Sequence, residues 1–208
     1  MICLFGIDGS GKTTISMRIV NALASAGIKA TYARPKFGMN LLVKGSIDPP
    51  PYRSRGVSST SKEKAGFMNR AKSSILLIYF ITKNLLAIGK EVCIPRLRRR
   101  WIVIERYWPD TMTDLVVDFG IPYKLARALS MCISMPPRAK YFFLKIEPNS
   151  AIQRKPGPYS IEYLEKRTSI YERVAVEIKA TEVNTGDDPD ESFRRLADSL
   201  KDMGVNLS

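Results

Sequence analysis

Residues 6–13 read Gly6-Ile7-Asp8-Gly9-Ser10-Gly11-Lys12-Thr13, a complete G-x-x-x-x-G-K-[ST] phosphate-binding loop. The apolar run Met1–Phe5 precedes it, and Ile15, Ile19, Val20, Leu23 and Ala24 follow at helical spacing. A buried strand therefore feeds a glycine-rich turn that opens a helix. Such a turn can aim the N–H groups of residues 6–14 (Gly6, Ile7, Asp8, Gly9, Ser10, Gly11, Lys12, Thr13 and Thr14) at phosphate oxygens, helped by the positive end of the helix dipole. Lys12 is expected to reach the β- and γ-phosphates of a nucleoside triphosphate, and the Thr13 hydroxyl to ligate Mg²⁺.

The 208 residues, 45% of them hydrophobic, suit one α/β domain with room for a short lid. No basic region precedes the first strand, and Cys3, Cys93 and Cys132 form no C-x-x-C pair. They read as reduced core thiols of a cytoplasmic protein. The chain has no histidine, which removes histidine acid–base chemistry and histidine metal ligands. Its most apolar stretch, Ile75–Ile81, is interrupted before Leu85–Ile88, too short to span a bilayer. It is expected as a helix buried on most sides, with a homodimer face as the other use of the same residues. The net charge of +13 raises nucleic-acid binding, yet no reading motif accompanies it. Its densest cluster, Arg96-Leu97-Arg98-Arg99-Arg100, reads as a solvated turn before a strand.

Strands are expected at Ile2–Phe5, Lys29–Ala33, Trp101–Ile104, Tyr141–Ile146 and Glu182–Asn184. Helices are expected at Thr13–Ala26, Ser61–Gly89, Met112–Val117, Pro122–Ile133, Ile161–Lys179 and Glu191–Met203. This alternation predicts a P-loop α/β fold: about five parallel strands with helices on both faces. Residues 35–75 are expected to form an acceptor-side region, and 148–160, with Pro148, Pro156, Gly157 and Pro158, a short lid.

Ligands of such sheets sit beyond the carboxyl ends of the strands. Glu105 closes an apolar strand there as a Walker-B-type acid does, and is expected to hold Mg²⁺ directly or through water, with Asp110 next in line. Arg106 could grip an acceptor phosphate. Asp8, unwelcome beside phosphate, is expected to turn toward a hydroxyl donor.

Phe5–Thr14 resembles the P-loop of thymidylate kinases, and Glu105-Arg106-Tyr107 resembles their Asp-Arg-Tyr motif with Glu replacing Asp. Tyr163-Leu164-Glu165-Lys166-Arg167 followed by Tyr171 is similar to the helix after their lid. The resemblance implies ATP-dependent phosphorylation of a nucleoside monophosphate, dTMP first. It implies that Asp8 meets the acceptor's 3′-hydroxyl, that Glu105 organises Mg²⁺, and that Arg106, with Tyr107 beside it, serves the acceptor phosphate. Gly9 stands where some members carry a catalytic Arg, which points to Arg154 or Lys155 as a lid cation, with Arg167 in reserve. Ala33-Arg34-Pro35 stands where Arg-Glu-Pro is usual, making Arg34 an acceptor-side candidate. Phe67 with Arg70, or Tyr79 with Lys83, would be the base-contacting pair. A nucleoside kinase, and a nucleotide-binding protein without turnover, are the alternatives.

Overall fold

The computed structural model describes residues 1–35, 78–79, 81–83, 85–134, 139–186 and 189–201. Strands β1 (Ile2–Phe5), β2 (Ala30–Ala33), β3 (Trp101–Glu105), β4 (Lys140–Lys145) and β5 (Thr181–Asn184) form one parallel sheet in the order β2-β3-β1-β4-β5. The helices include α1 (Lys12–Ser25), α2 (Ile94–Leu97), α3 (Trp108–Val117), α4 (Tyr123–Ser134), α5 (Pro148–Arg154), α6 (Ile161–Glu177) and α7 (Pro189–Lys201), and residues 78–79, 81–83 and 85–88 are helical as well. A π-helical turn, Gly89–Cys93, runs directly into α2.

Side-chain alternation along the strands sorts the core into two layers. Ile2, Leu4, Val103, Phe142, Leu144 and Val183 pack on Ile15, Ile19 and Leu23 of α1 and Leu196 and Leu200 of α7. Cys3, Ile102 and Ile104 face Met112 and Leu115 of α3, Ala126 of α4 and Val174 of α6. Each such aliphatic burial stabilises by about 1.5–3 kcal/mol relative to exposure, before chain entropy is counted. Because β1 lies at the centre, the loops after β1 and β3 open side by side, and the pairing Leu4↔Glu105 sets their level.

The five strands match their expected positions to within a residue or two. Helix α3 begins four residues earlier than expected, at Trp108, with Pro109 in its first turn, where a missing N–H costs nothing. Residues 148–154 of the expected lid are helical for the same reason, since Pro148 opens α5. Cys93 and Cys132 are exposed rather than core thiols; only Cys3 is buried. The described residues of the apolar segment before Gly89 are also less buried than expected. Ile78, Leu85 and Leu86 are exposed, and the packing is carried by Ile88 and Val92 at its end. Among the described residues no helix is long and apolar enough to cross a membrane.

Candidate active site

The turn after β1 is held tightly against its neighbours. A side chain on Gly6 would place its Cβ 2.5 Å from the Leu144 carbonyl oxygen, and one on Gly9 would lie 2.5 Å from that of Ala151 in α5. Both glycines have positive φ, 146° and 89°. Glycine is the only residue that fits either place. Helix α1 then starts without a side-chain cap and without an acid in its first turn. The N–H groups of Lys12, Thr13 and Thr14 thus have no helical acceptor and remain directed toward an anion.

Lys12 is buried, and its Nζ donates to the carbonyls of Gly6 and Ile7, both at 2.7 Å. Asp8 lies 4.0 Å away. Burial brings the ammonium down to about 8, against the opposing pull of Asp8 and Asp110. A bound polyphosphate favours the charged form, so ATP affinity should fall as pH rises through that value. Binding at pH ~8.5 should then take up a fraction of a proton. Calorimetry in buffers of different ionisation enthalpy reads this directly; proton release at that pH would contradict it.

Glu105, at the end of β3, is 1% exposed. It accepts from the Thr13 hydroxyl at 3.0 Å and from the Tyr32 hydroxyl, and Arg34 Nε stands 4.0 Å away. The next residue, Arg106, has φ 61°, a left-handed conformation that costs a non-glycine residue about 1–3 kcal/mol. That turn carries its guanidinium onto Asp8, with NH2 donating at 2.6 Å. Burial would raise the Asp8 pKa, but Lys12 and Arg106 outweigh it and hold the carboxyl down at about 2. Asp8 therefore faces a cation here. Tyr107 turns away into the core with Ile102, Ile104 and Trp108.

The two expected metal ligands, Thr13 and Glu105, are already in contact. They offer hard oxygen donors, one of them a buried carboxylate whose nearest cation is 4.0 Å away. Mg²⁺ commonly takes one or two protein oxygens and completes its octahedron with phosphate and water, so this pair fits it. Among the described residues no group of three or more His, Cys, Asp or Glu gathers as a protein-only metal cage.

No protein-family model matches the chain. It is 28% identical over 164 residues to a thymidylate kinase of Pelodictyon phaeoclathratiforme, covering 77% of this chain and 68% of that one. Its fold matches the crystal structure of thymidylate kinase from Ehrlichia chaffeensis with a TM-score of 0.66, at 18% identity, over 97% of this chain and 98% of the other. The chain is similar to thymidylate kinases in sequence and in fold. The match spans the whole P-loop fold, in agreement with the parallel sheet described above.

The two lid candidates take different places. Arg154, the last residue of α5, donates from NH1 to the Thr185 carbonyl at 2.5 Å and from NH2 to that of Gly186 at 2.9 Å. Lys155 is exposed, and its charge is among those holding the Asp8 pKa down. Arg167, the reserve candidate, is committed elsewhere. It reaches Asp114 at 2.5 Å, Asp118 at 3.3 Å, and the hydroxyls of Tyr163 and Tyr171 at 3.1 Å each. Tyr163 donates to Asp118 and Tyr171 to Asp110, at 2.7 and 2.9 Å. Asp110 and Asp114 of α3, with Asp118 capping its C-terminus, thus mesh with Tyr171, Arg167 and Tyr163 of α6, each set at helical i, i+4, i+8 spacing. At the far end, Tyr159 stacks on Tyr163 with centroids 5.2 Å apart. Of the proposed base-contacting residues, Phe67 and Arg70, like residues 36–75 of the acceptor-side region, lie outside the described residues. Lys83 packs over the ring of Tyr79, 5.6 Å from its centroid.

Two features of the site escape the sequence reading. Tyr32 bonds a residue 73 positions away, and no local pattern announces that. The acid ladder did carry a signal, three aspartates at fourfold spacing, but its partner helix was not deducible from it.

Proposed function

We propose that this protein transfers the γ-phosphoryl group of ATP to a nucleoside monophosphate, with dTMP as the first candidate. The observation that carries this is the Arg106–Asp8 pair at 2.6 Å, next to Lys12. In this reading Arg106 is the phosphate-binding cation and Asp8 the hydroxyl-binding acid at the mouth of the ATP loop, as an acceptor bearing both a phosphate and a sugar requires. The 28% identity to a thymidylate kinase supports the same acceptor.

On ATP binding, Lys12 exchanges the Gly6 and Ile7 carbonyls for phosphate oxygens, while the α1 N–H groups hold the β-phosphate. Asp8 turns to the acceptor's sugar hydroxyl, and Arg106 and Arg34 hold its phosphate in line with the γ-phosphorus. An acceptor phosphate oxygen is already anionic, so its attack needs no general base. The bond from γ-phosphorus to the β–γ bridging oxygen breaks, leaving ADP and a nucleoside diphosphate. Mg²⁺ at Thr13 and Glu105 would supply charge neutralisation on the phosphates. The partners in this reading are ATP and a small acceptor, with exposed Ile78, Leu85 and Leu86 available to a second copy of the chain.

Residues 148–160 are read as the lid, with Lys155 its cation, because Arg154 is held by Thr185 and Gly186. Lys155→Ala should lower kcat by on the order of 10²-fold and leave ATP affinity intact. Arg154→Ala should act mainly on thermal stability, through the loop after β5. The reverse pattern would assign the cation to Arg154.

The functional test is a turnover screen of ATP against nucleosides and nucleoside monophosphates. Phosphorylation of dTMP but not thymidine is the expected result. Turnover of nucleosides alone would make Glu105 a general base and the protein a nucleoside kinase. ATP binding without turnover of any acceptor would make it a regulatory nucleotide-binding protein.

A further inference from the structure

Among the described residues, the buried side-chain atoms without a hydrogen-bond partner include two charged-group atoms of opposite kind beside the P-loop, Arg106 Nε, a donor, and Asp110 Oδ2, an acceptor, along with Ser10 Oγ in the loop itself. Unpaired buried groups are costly and therefore rare, which makes two complementary ones in one site informative. Their parent groups lie in each other's field, since Asp110 favours the charged form of Arg106 and Arg106 that of Asp110. Asp110 is 4% exposed and anchored from behind, its Oδ1 accepting from Tyr171, which is itself held by Arg167. The guanidinium meanwhile spends its NH2 on Asp8. If Asp8 turns to an acceptor's sugar, Arg106 loses that counter-ion just when its outer nitrogens must face a phosphate.

We propose that Asp110 is a positioning residue. Its Oδ2 receives the Nε–H of Arg106 when an acceptor nucleotide engages Asp8, which frees both outer nitrogens of the guanidinium for the acceptor phosphate. The exchange is a change of hydrogen-bond partner, with no covalent step. It rests on the nucleoside monophosphate reading above.

The groups facing Asp110 give the proposal a sign. Burial raises its pKa to about 6, and so does Asp114, one turn along α3. Lys12 of α1, Arg106 and the Tyr171 hydroxyl of α6 oppose this, while Cys3 of β1, also within its field, is a neutral thiol. Carbon-13 NMR of protein labelled at aspartate carboxyls reads the titration, and Asp110→Asn identifies the resonance by its loss. In the free protein Tyr171→Phe should move the midpoint up and Asp114→Asn should move it down. Those opposite shifts verify the surroundings of the carboxyl; the response to acceptor reads its role. Saturating dTMP should move the wild-type midpoint down, because the guanidinium arrives. A phosphate dianion bound without that arrival would move it up. Asp110→Asn should also weaken dTMP binding by on the order of 10-fold or more in calorimetry.

A midpoint that stays or rises with dTMP bound overturns the role of Asp110. A protein that does not bind dTMP at all sinks the acceptor reading instead.

Discussion

Lys12→Ala should abolish measurable phosphoryl transfer. The ammonium is buried and already satisfied by two loop carbonyls at 2.7 Å, so its removal leaves Gly6 and Ile7 oxygens facing the phosphate site with no cation between. A charge-assisted contact of this kind is worth about 1.5–3 kcal/mol, which weakens ATP binding by roughly 10- to 150-fold. The transition state, with charge gathering on the β–γ bridge, loses more than the ground state does, so kcat should fall by a further 10²-fold or so. The fold should persist, because removing the ammonium takes a buried charge out of the protein and leaves the apolar packing of α1 in place. Equilibrium ATP binding and single-turnover kinetics check both parts. Unchanged affinity and turnover would mean that the loop no longer serves a nucleotide.

Glu105→Gln should damage catalysis and spare binding. The amide keeps the volume and still accepts from the Thr13 hydroxyl, but its charge is gone, and with it the attraction for a divalent cation at Thr13. ATP affinity measured without metal should stay within a few-fold, whereas kcat should drop by on the order of 10²-fold, with half-activation moving to higher Mg²⁺. Arg34, 4.0 Å from the carboxylate, loses a counter-ion in the same variant, so the acceptor KM should shift as well. Near wild-type kcat across the Mg²⁺ titration would move the metal to another acid.

What the sequence disclosed follows from how local each signal is. The P-loop could be placed to the residue because strand, glycine turn and helix start lie within Ile2–Ser25 and each constrains the next. Glu105 was findable because a central parallel strand is an uninterrupted apolar run, and its polar end marks the edge of the sheet. Its bonds to Tyr32 and Thr13 were not, since they join three separate segments. Arg154 read as a lid cation because proline-rich flanks suggested a swinging loop. Pro148 instead begins a helix, whose C-terminus delivers that guanidinium to Thr185 and Gly186. The early start of α3 was legible in principle, as Pro109 sits where a helix tolerates it. It matters because that first turn holds Asp110.

The 2.5 Å approach of a Gly9 Cβ to the Ala151 carbonyl oxygen also bears on how this chain can change over generations. An arginine at position 9, the solution some thymidylate kinases use, would collide with the backbone of α5 and would have to adopt φ near 89°. Moving α5 to admit it would displace Lys155 and the flap behind it. On this scaffold a side chain at position 9 and the present seat of α5 exclude each other. With α5 seated this close to the loop, a cation for the transferring phosphate has to come from elsewhere than position 9, and in the proposed reaction it comes from Lys155.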